Sequence, residues 1–220
     1  MRYFFFLVIL DFCFIQVKSQ DLDLKDSYNF VLSARKSTIA EKKDVYFSKD
    51  YLPAKLYSLN GIINAKNVYK LNLETGTLYY LDKVSGDEME VINQLKLIEF
   101  ALPESKVVQF EKGFPSIETF NEKTFFQVLV NGKAKLLMAT KFEEVAKTKY
   151  GAAPEKTLEK ELCYFGFANG QILRITKPEH ILSICSDKSK EVQDFMQNEK
   201  LKVKKTSDLE KIIKYYNGLF

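Results

Sequence analysis

The feature of this chain that most constrains its fold is an alternation of apolar and polar residues interrupted by glycine-containing turns. Between residues 44 and 142 the apolar side chains recur with a period of two, as at Tyr69, Leu71 and Leu73. Successive side chains of a β-strand point to opposite faces, so this period predicts half-buried strands. Turn sequences separate the alternating runs, namely Asn60-Gly61, Thr75-Gly76, Asn131-Gly132 and Asn169-Gly170. Asn-Gly supplies the positive φ angles of tight hairpins, and consecutive hairpins leave no room for crossover helices, so the sheet is predicted to be antiparallel.

Two hairpins are predicted where a turn lies between two apolar runs. One pairs Phe125–Val130 with Lys133–Ala139, and the other pairs Leu162–Phe167 with Gln171–Ile175. The segment between them, residues 143–160, combines charged residues with Ala, Gly and Pro and is predicted to be a linker. A short helix over Phe142–Thr148 is compatible with this composition.

After Ile175 the apolar period changes from that of a strand to that of a helix. Thr176 is predicted to be the N-cap of the first helix, with Pro178 in the first turn and Glu179 completing a capping box. Ile181, Ile184 and Cys185 then form its inward-facing stripe.

Two further helices are predicted towards the C-terminus. The first of them covers about Lys188–Glu199. The other begins at a capping box of Ser207 and Glu210 and ends at Gly218. Their apolar stripes are predicted to be core faces rather than cofactor sites: Val192, Phe195, Met196, Leu209, Ile212, Ile213 and Tyr216.

These patterns predict an α+β protein in which a mostly antiparallel β-sheet, an open barrel or a sandwich, is followed by two or three C-terminal helices. Five segments are expected: a signal peptide (1–19), an N-terminal arm (20–43), an antiparallel β region (44–142), a linker (143–160), and a β-hairpin with C-terminal helices that packs on the same body (161–220).

The first 19 residues have the pattern of a secretory signal peptide. Arg2 provides a positive n-region, Tyr3–Val17 is largely apolar, and Val17-Lys18-Ser19 favours cleavage after Ser19. The apolar stretch is shorter than the roughly 20 residues of a spanning helix, and Asp11 interrupts it, although an uncleaved anchor is the alternative. We therefore expect an exported protein of the periplasm or the extracellular space that is not transmembrane after signal removal.

The charge balance argues against nucleic acid as a partner. The chain has 33 basic and 29 acidic residues and a formal net charge of +4. All of the basic residues except Arg2, Arg35 and Arg174 are lysines, whereas phosphate and base recognition favours the planar fork of arginine.

Two cysteines follow the signal segment, and three interpretations of them remain open. Cys163 alternates with Phe165 and Phe167 on an apolar strand face, and Cys185 lies on the inward stripe of a helix. Both can be buried thiols that act as small hydrophobic side chains. A disulfide between Cys163 and Cys185 is the second interpretation, because an exported protein permits one. A reactive nucleophile is the third, without a neighbour in the sequence that would lower the thiol pKa.

Little in the sequence points to catalysis, a metal or a cofactor. His180 is the only histidine, it lies at a predicted helix start, and it is interpreted as a surface or capping residue. Acidic residues such as Glu74 and Glu99 are the kind of pair that a glycosidase uses, but the spacing of such a pair is set by the fold. The acidic stretches 21–26 and 82–88 do not match a calcium loop, and the second is interpreted as a hairpin turn. No cofactor and no metal site are predicted.

Three segments resemble an uncharacterised family of exported Bacteroidota proteins with a β-rich body and a Lys-rich C-terminal helical tail. They are FQVLVNGKAKLL at 126–137, NGQILRITKPEHILSICSDKSKEVQDFM at 169–196 and LKVKKTSDLEKIIKYYN at 201–217. The likeness covers about the last 100 residues well, and the front strands are similar only in style. It implies location and architecture, and it carries over no catalytic or binding residue.

Two further features have both a structural and a functional interpretation. The basic segment Lys200–Lys205 is either a solvated connector, with Leu201 and Val203 tucked inward, or a contact for anionic lipid headgroups or acidic polymer. Aromatic pairs occur in sequence at Tyr79-Tyr80, Phe125-Phe126 and Tyr215-Tyr216. They indicate either a sheet that the helices cover on its second face or a curved sheet that holds an apolar ligand.

We therefore expect an exported, non-catalytic envelope protein that acts as an interaction or structural module, with an unknown envelope protein or surface as partner. The alternative is a periplasmic carrier of an apolar ligand, with the Phe/Tyr-rich face as its cavity. An exported hydrolase of unknown type is the third hypothesis. A filled core beneath an exposed apolar patch would favour the first, and a continuous cavity would favour the second.

Overall fold

The architecture was obtained from a computed structural model, which describes residues 32–37, 44–63, 66–147 and 155–220. No helix within these ranges is long and apolar enough to cross a membrane. The signal peptide predicted at residues 1–19 lies outside the described residues.

Within the described ranges, twelve β-strands form one open antiparallel sheet, which confirms the predicted fold class. In space the strands follow the order β1-β6-β5-β4-β2-β7-β8-β9-β10-β11-β12, and β3 pairs with β2. Their bounds are β1 Ala34–Lys36, β2 Leu52–Ser58, β3 Gly61–Ile63, β4 Val68–Leu71, β5 Leu78–Leu81, β6 Glu88–Val91, β7 Leu95–Ala101, β8 Val107–Glu111, β9 Phe126–Val130, β10 Lys135–Lys147, β11 Glu155–Ala168 and β12 Gln171–Arg174.

Strand β2 joins the two halves of the sheet. Its first residues pair with β4 through Leu52–Tyr69 and Pro53–Val68. From Ala54 to Ser58 it pairs with β7 on its other edge. The inner faces of both halves contribute to one hydrophobic cluster, so the space that they enclose is occupied by the protein's own side chains: Leu56, Ile63, Tyr69, Leu71, Leu78, Val91, Leu95, Ile98, Phe100, Val108, Phe110 and Phe125.

The other end of the sheet, β9 to β12, is covered on both faces. Leu136 and Leu137 are neighbours on β10 and therefore point to opposite sides. Leu136 packs against the helices, whereas Leu137 packs with Phe126 and Phe165 beneath the segment that contains Phe114 and Phe120. Both leucines are fully buried.

Three α-helices end the chain, in agreement with the prediction. They are α1 (Pro178–Ile184), α2 (Ser189–Asn198) and α3 (Thr206–Asn217). Their apolar stripes form one core with β9 to β12, and its fully buried members include Ile181, Val192, Leu209, Ile212 and Ile213.

Both predicted capping boxes are wrong, the first by one residue and the second by two. The N-cap of α1 is Lys177 rather than Thr176, because the residue before a proline favours extended backbone and Pro178 follows Lys177. The N-cap of α3 is Lys205, which places Ser207 inside the first turn. Neither N-cap residue makes a side-chain capping bond, so Glu179 and Glu210 complete no box.

The linker predicted at 143–160 is wrong where the structure describes it, and so is the short helix over Phe142–Thr148. Strands β10 and β11 continue as a hairpin through Glu143–Glu159 to Lys147–Glu155, beyond the ends of β9 and β12. We call residues 141–147 and 155–161 the ribbon. Its described side chains are exposed or half-buried on both faces. Because neither face is covered, the sequence of the ribbon is charged like that of a linker and lacks the apolar alternation of a strand with one buried face. Residues 148–154 lie outside the described ranges.

Part of the predicted N-terminal arm is a strand. Residues 34–36 form β1, which pairs with β6 from Ala34–Val91 to Lys36–Met89. The Arg35 guanidinium donates to both carboxylate oxygens of Glu90, at 3.0 and 2.9 Å. Of the arm, only residues 32–37 are described.

Candidate functional site

Glu74 and Glu99, the two acidic residues considered as an example of a glycosidase-type pair, lie in different places. Glu99 is on β7, where its carboxylate accepts hydrogen bonds from the Tyr57 hydroxyl at 2.7 Å and the Gln109 amide at 2.8 Å. The bond to Glu99 raises the pKa of the Tyr57 phenol. Glu74 is in the turn between β4 and β5 and borders a cleft that Glu99 does not line. The structure therefore does not bring these carboxylates into one site.

His180 is held at the start of α1 by local bonds. Its Nδ1 accepts a hydrogen bond from the backbone N–H of Thr176 at 3.2 Å and lies 3.3 Å from the Thr176 hydroxyl. The imidazole thus satisfies a backbone donor ahead of the helix. This arrangement agrees with the capping role predicted for it.

Cys163 and Cys185 are free, buried thiols in the structure, which agrees with the first of the three interpretations and not with the disulfide. Cys163 lies with Phe126 and Phe165 on the sheet face opposite the helices, whereas Cys185 lies in the helical core. The sheet therefore separates the sulfur atoms. Burial raises the pKa of both thiols, to about 12 for Cys185, which is the opposite of what a reactive nucleophile requires.

The acidic stretch at 82–88 is the hairpin turn that was predicted. The Asp82 carbonyl accepts from the Gly86 N–H at 2.8 Å, and one carboxylate oxygen of Asp82 accepts from the Ser85 N–H and hydroxyl at 2.9 Å each. These bonds, led by the one from the Ser85 backbone, lower the pKa of Asp82. Within the described part of the chain, no group of three or more His, Cys, Asp or Glu side chains could hold a metal ion. The other acidic stretch, 21–26, lies outside the described residues.

An open cleft of about 360 Å³ lies beside the turn between β4 and β5. Its walls are that turn (73–76), the segment before β9 (119–125) and the start of the ribbon (140–142). Its lining mixes aromatic rings with threonine hydroxyls and charged side chains.

A second groove, of about 460 Å³, lies between α1 and α2. The segment that follows α2 contributes Lys200, Leu201 and Lys202 to it. Leu201 and Val203 pack against the helical core, as the connector interpretation predicted.

An exposed row of apolar side chains crosses the outer face of the sheet at one end of the strands. Pro53 on β2 pairs with Val68 on β4, and Ala101 on β7 pairs with Val107 on β8. Ala54 of β2 pairs with Phe100 of β7, so the next residues along the two antiparallel strands, Pro53 and Ala101, also lie side by side. Likewise, Val68 lies beside Leu81 one residue beyond the Tyr69–Tyr80 pair.

We call these five residues the apolar row. Val107 is 57% exposed, Leu81 40% and Val68 37%, and Pro53 and Ala101 are exposed as well. No sequence pattern predicts this row, because each of its residues comes from a different strand. Only the register of the sheet brings them together, and no local signal in the sequence specifies that register.

Comparisons of the chain with protein-family models, with curated proteins and with solved structures found no match.

Proposed function

We propose that this chain is an exported, non-catalytic envelope protein that acts by binding another protein through the apolar row. The observation that carries the proposal is an exposed apolar row on a sheet whose opposite face is already filled by its own core. Export is supported by the signal-peptide pattern of residues 1–19 and by the resemblance to exported Bacteroidota proteins.

The geometry of the row suits a protein partner. Neighbouring strands are about 4.8 Å apart, so five strands carry apolar side chains over roughly 20 Å. Single exposed apolar residues are ordinary, whereas contiguous ones mark interaction surfaces. Glu88 pairs with Leu81 at one end of the row and supplies a polar border of the kind that protein interfaces have.

Beside Val68 the surface next to the row is aromatic. Lys70 follows Val68 on the same face of β4, but it is only 8% exposed. Its Nζ lies 4.3 Å from the centre of the Tyr46 ring and 5.5 Å from that of Tyr51. These rings cover the lysine and extend the apolar surface that a partner would meet.

The state of the candidate catalytic groups supports a non-catalytic role. Glu99 is held by two hydrogen bonds on the outer face, and His180 is bonded to the backbone of Thr176. Cys163 and Cys185 are buried with raised thiol pKa values. None of these four groups lies in either described cleft, and Glu74, which borders the first cleft, has no second carboxylate in its described lining.

The carrier hypothesis has less support, because the Phe/Tyr-rich face is filled. The doubled aromatics are divided between packed clusters: Phe125 belongs to the inner core, Phe126 to the cluster beneath the sheet, and Tyr216 to the helical core. Edge-to-face contacts such as Phe126–Phe165, with ring centres 5.5 Å apart, occupy the space that a ligand would need.

Site-specific photo-crosslinking in the native host tests the proposal. A photoreactive phenylalanine analogue would replace Val107 in one variant and Val68 in another, and Lys211, exposed on α3, in a control. We expect the two row positions to crosslink to the same protein and the control position not to do so. The variant Leu81→Lys, which puts a charge in the row without touching the core, should remove both crosslinks and leave the thermal unfolding midpoint unchanged.

Two results would contradict the proposal. Crosslinks from Val107 and Val68 that are no stronger or more specific than those from position 211 would show that the row contacts no partner. Crosslinks that persist in the Leu81→Lys variant would place the contact elsewhere.

A further inference from the structure

The groove between α1 and α2 has three walls. Pro178, Glu179 and Leu182 form the α1 wall, and Gln193, Met196 and Gln197 form the α2 wall. The connector that follows α2 closes it with Lys200, Leu201 and Lys202. Its volume of about 460 Å³ is in the range of small-molecule sites, which run from roughly 300 to 1,000 Å³.

The floor of this groove is aliphatic. Leu182 and Leu201 are half-buried and pack against the helical core, and Met196 is 7% exposed. Ile181 is fully buried in the core, and successive residues of a helix are about 100° apart around its axis. Leu182 therefore points away from the direction of Ile181 and faces α2. An unbranched alkyl chain matches a narrow floor of Leu and Met side chains better than an aromatic ring does, because it can follow their contour.

The charges at the groove favour an anion. Lys200 and Lys202 are both exposed, and the connector continues with Lys204 and Lys205. Glu179 is the one acidic residue in the lining. Asp208, the nearest acid along the chain after the connector, accepts the backbone N–H of Lys202 at 2.9 Å. Glu199 directly precedes Lys200 but is not among the lining residues, so in the described lining Lys200 and Lys202 outnumber the carboxylates by two to one.

We infer that this groove binds a single-chain carboxylate amphiphile, a free fatty acid, with its alkyl chain on Leu182, Met196 and Leu201 and its carboxylate at Lys200 and Lys202. The groove belongs to the helical layer and is remote in sequence from the strands of the apolar row. The inference therefore goes beyond the proposed protein-binding function and does not depend on it.

The backbone at the end of α2 provides a discriminating variant. Lys200 has φ 51°, in the left-handed region that favours glycine. The Leu201 N–H donates to the Met196 carbonyl at 2.9 Å and the Lys200 N–H to that of Gln197 at 3.2 Å, so this turn is fixed by backbone bonds alone. Lys200→Gly removes the charge and is expected to keep or raise stability. If the role of Lys200 were purely structural, this variant would not lower ligand affinity while it keeps or raises stability.

Binding can be followed at the methionine methyl groups of the purified protein. With ¹³C-labelled methyl groups, Met196 reports on the groove, and Met89 and Met138 report on the sheet. Decanoate, used below the concentration at which it forms micelles, is the probe. We expect a saturable shift of the Met196 signal alone, with an affinity that rises about two- to fourfold for each methylene added between octanoate and dodecanoate.

Two charge variants test the lysines. Lys200→Gln/Lys202→Gln should weaken decanoate binding about fivefold, since exposed ion pairs contribute modestly. The matched control Lys190→Gln/Lys211→Gln loses the same charge from exposed positions on α2 and α3 outside the groove and should bind as the unaltered protein does. Lys200→Gly should bind more weakly while its thermal unfolding midpoint stays the same or rises.

Four results would overturn the inference. They are the absence of a saturable Met196 shift, an equal response to the cation decyltrimethylammonium, simultaneous shifts of all three methionine signals, and equal losses of affinity in both double variants. Binding of the protein to anionic vesicles without a Met196 response to decanoate would likewise replace the fatty-acid site with a membrane-surface contact.

Discussion

The side-chain amide of Asn217, the last residue of α3, bonds to both backbone polar groups of Ala134 in the turn before β10. Its Oδ1 accepts from the Ala134 N–H at 2.9 Å, and its Nδ2 donates to the Ala134 carbonyl at 2.9 Å. Ala134 is fully buried, so water cannot replace these bonds. The amide thus makes the two backbone hydrogen bonds that a neighbouring strand would make, and it links α3 to the sheet.

Asn217→Ala should lower the free energy of unfolding by about 2–4 kcal/mol, because it leaves a buried donor and a buried acceptor without partners. Urea denaturation measures this change. Asn198→Ala, at the exposed end of α2, is the matched control and should change stability by less than about 0.5 kcal/mol. Equal effects of the two variants would contradict the role given to Asn217.

Gly132→Ala should act through the same amide. A Cβ on Gly132 would lie 2.3 Å from the Nδ2 of Asn217, so the side chain must move and lose its bonds to Ala134. We therefore expect Gly132→Ala to be strongly destabilising in the unaltered protein and much less so in the Asn217→Ala background. Additive effects in this double-mutant cycle would rule out the coupling.

Gly166 allows the closest approach of α1 to the sheet. An added Cβ there would lie 2.1 Å from the Cδ1 of Ile184. Gly166→Ala should cost about 1–3 kcal/mol, the usual range for overpacking a core. In thermal or urea unfolding, Ile184→Ala should reduce that cost, since it removes the side chain that the new methyl group meets. A Gly166→Ala effect that is the same in both backgrounds would place the strain elsewhere.

Asp187 should make stability depend on pH in acid. Its carboxylate accepts from the Lys133 ammonium at 2.6 Å and from the Tyr216 hydroxyl at 2.8 Å, and these bonds, that of Lys133 first, lower the pKa of Asp187. A depressed folded-state pKa contributes stability that is present above the unfolded pKa of about 3.9 and is lost as the pH falls through the folded value.

The stability of Asp187→Asn should therefore decrease less steeply with pH below about pH 4 than that of the unaltered protein. The difference in stability between the two proteins should become smaller as the pH decreases. Thermal midpoints measured in steps from pH 6 to pH 2 follow this effect. Glu191, on α2, is a neighbouring carboxylate whose pKa is also lowered. The variant Glu191→Gln is therefore the control that shows how much of the pH dependence of stability comes from α2 rather than from Asp187. Parallel curves for Asp187→Asn and the unaltered protein would contradict the prediction.

The thiols should be inert in the folded protein. Because burial raises the pKa of Cys163 and Cys185, an aromatic disulfide reagent at pH 8 should react with them only after unfolding. The denatured mass without reductant should equal the reduced mass. A mass two units lower would establish the Cys163–Cys185 bond, and rapid reaction of the native protein would restore the nucleophile interpretation.

Local patterns in the sequence predicted the hairpins and the helices because short-range chemistry specifies them. Asn169 and Gly170 both have positive φ, as the turn between β11 and β12 requires. The alternation of Cys163 with Phe165 correctly placed both on one apolar face, since that period is a property of the strand itself.

What the sequence did not reveal depends on distant residues. The pairing of β2 with β7, and of β1 with β6, joins segments that no turn connects. The ribbon was mistaken for a linker because neither of its faces is covered, so no apolar alternation marks it. The apolar row, the separation of Cys163 from Cys185 and the Asn217–Ala134 bonds are all consequences of register and layer order, which a local period cannot contain.

The order of the strands also bears on how the chain reaches its folded state. From β7 to β12 each strand pairs with the next strand in the chain, whereas the pairings of β2 with β7 and of β1 with β6 join strands that lie far apart in the chain. Pairings that close short loops form faster than those that close long ones. We therefore expect the meander of β7 to β12 to form early and to present the edge of β7 as a template. The β2–β7 and β1–β6 pairings would be the last to form, so changes that destabilise these two pairings should accelerate unfolding more than they slow folding.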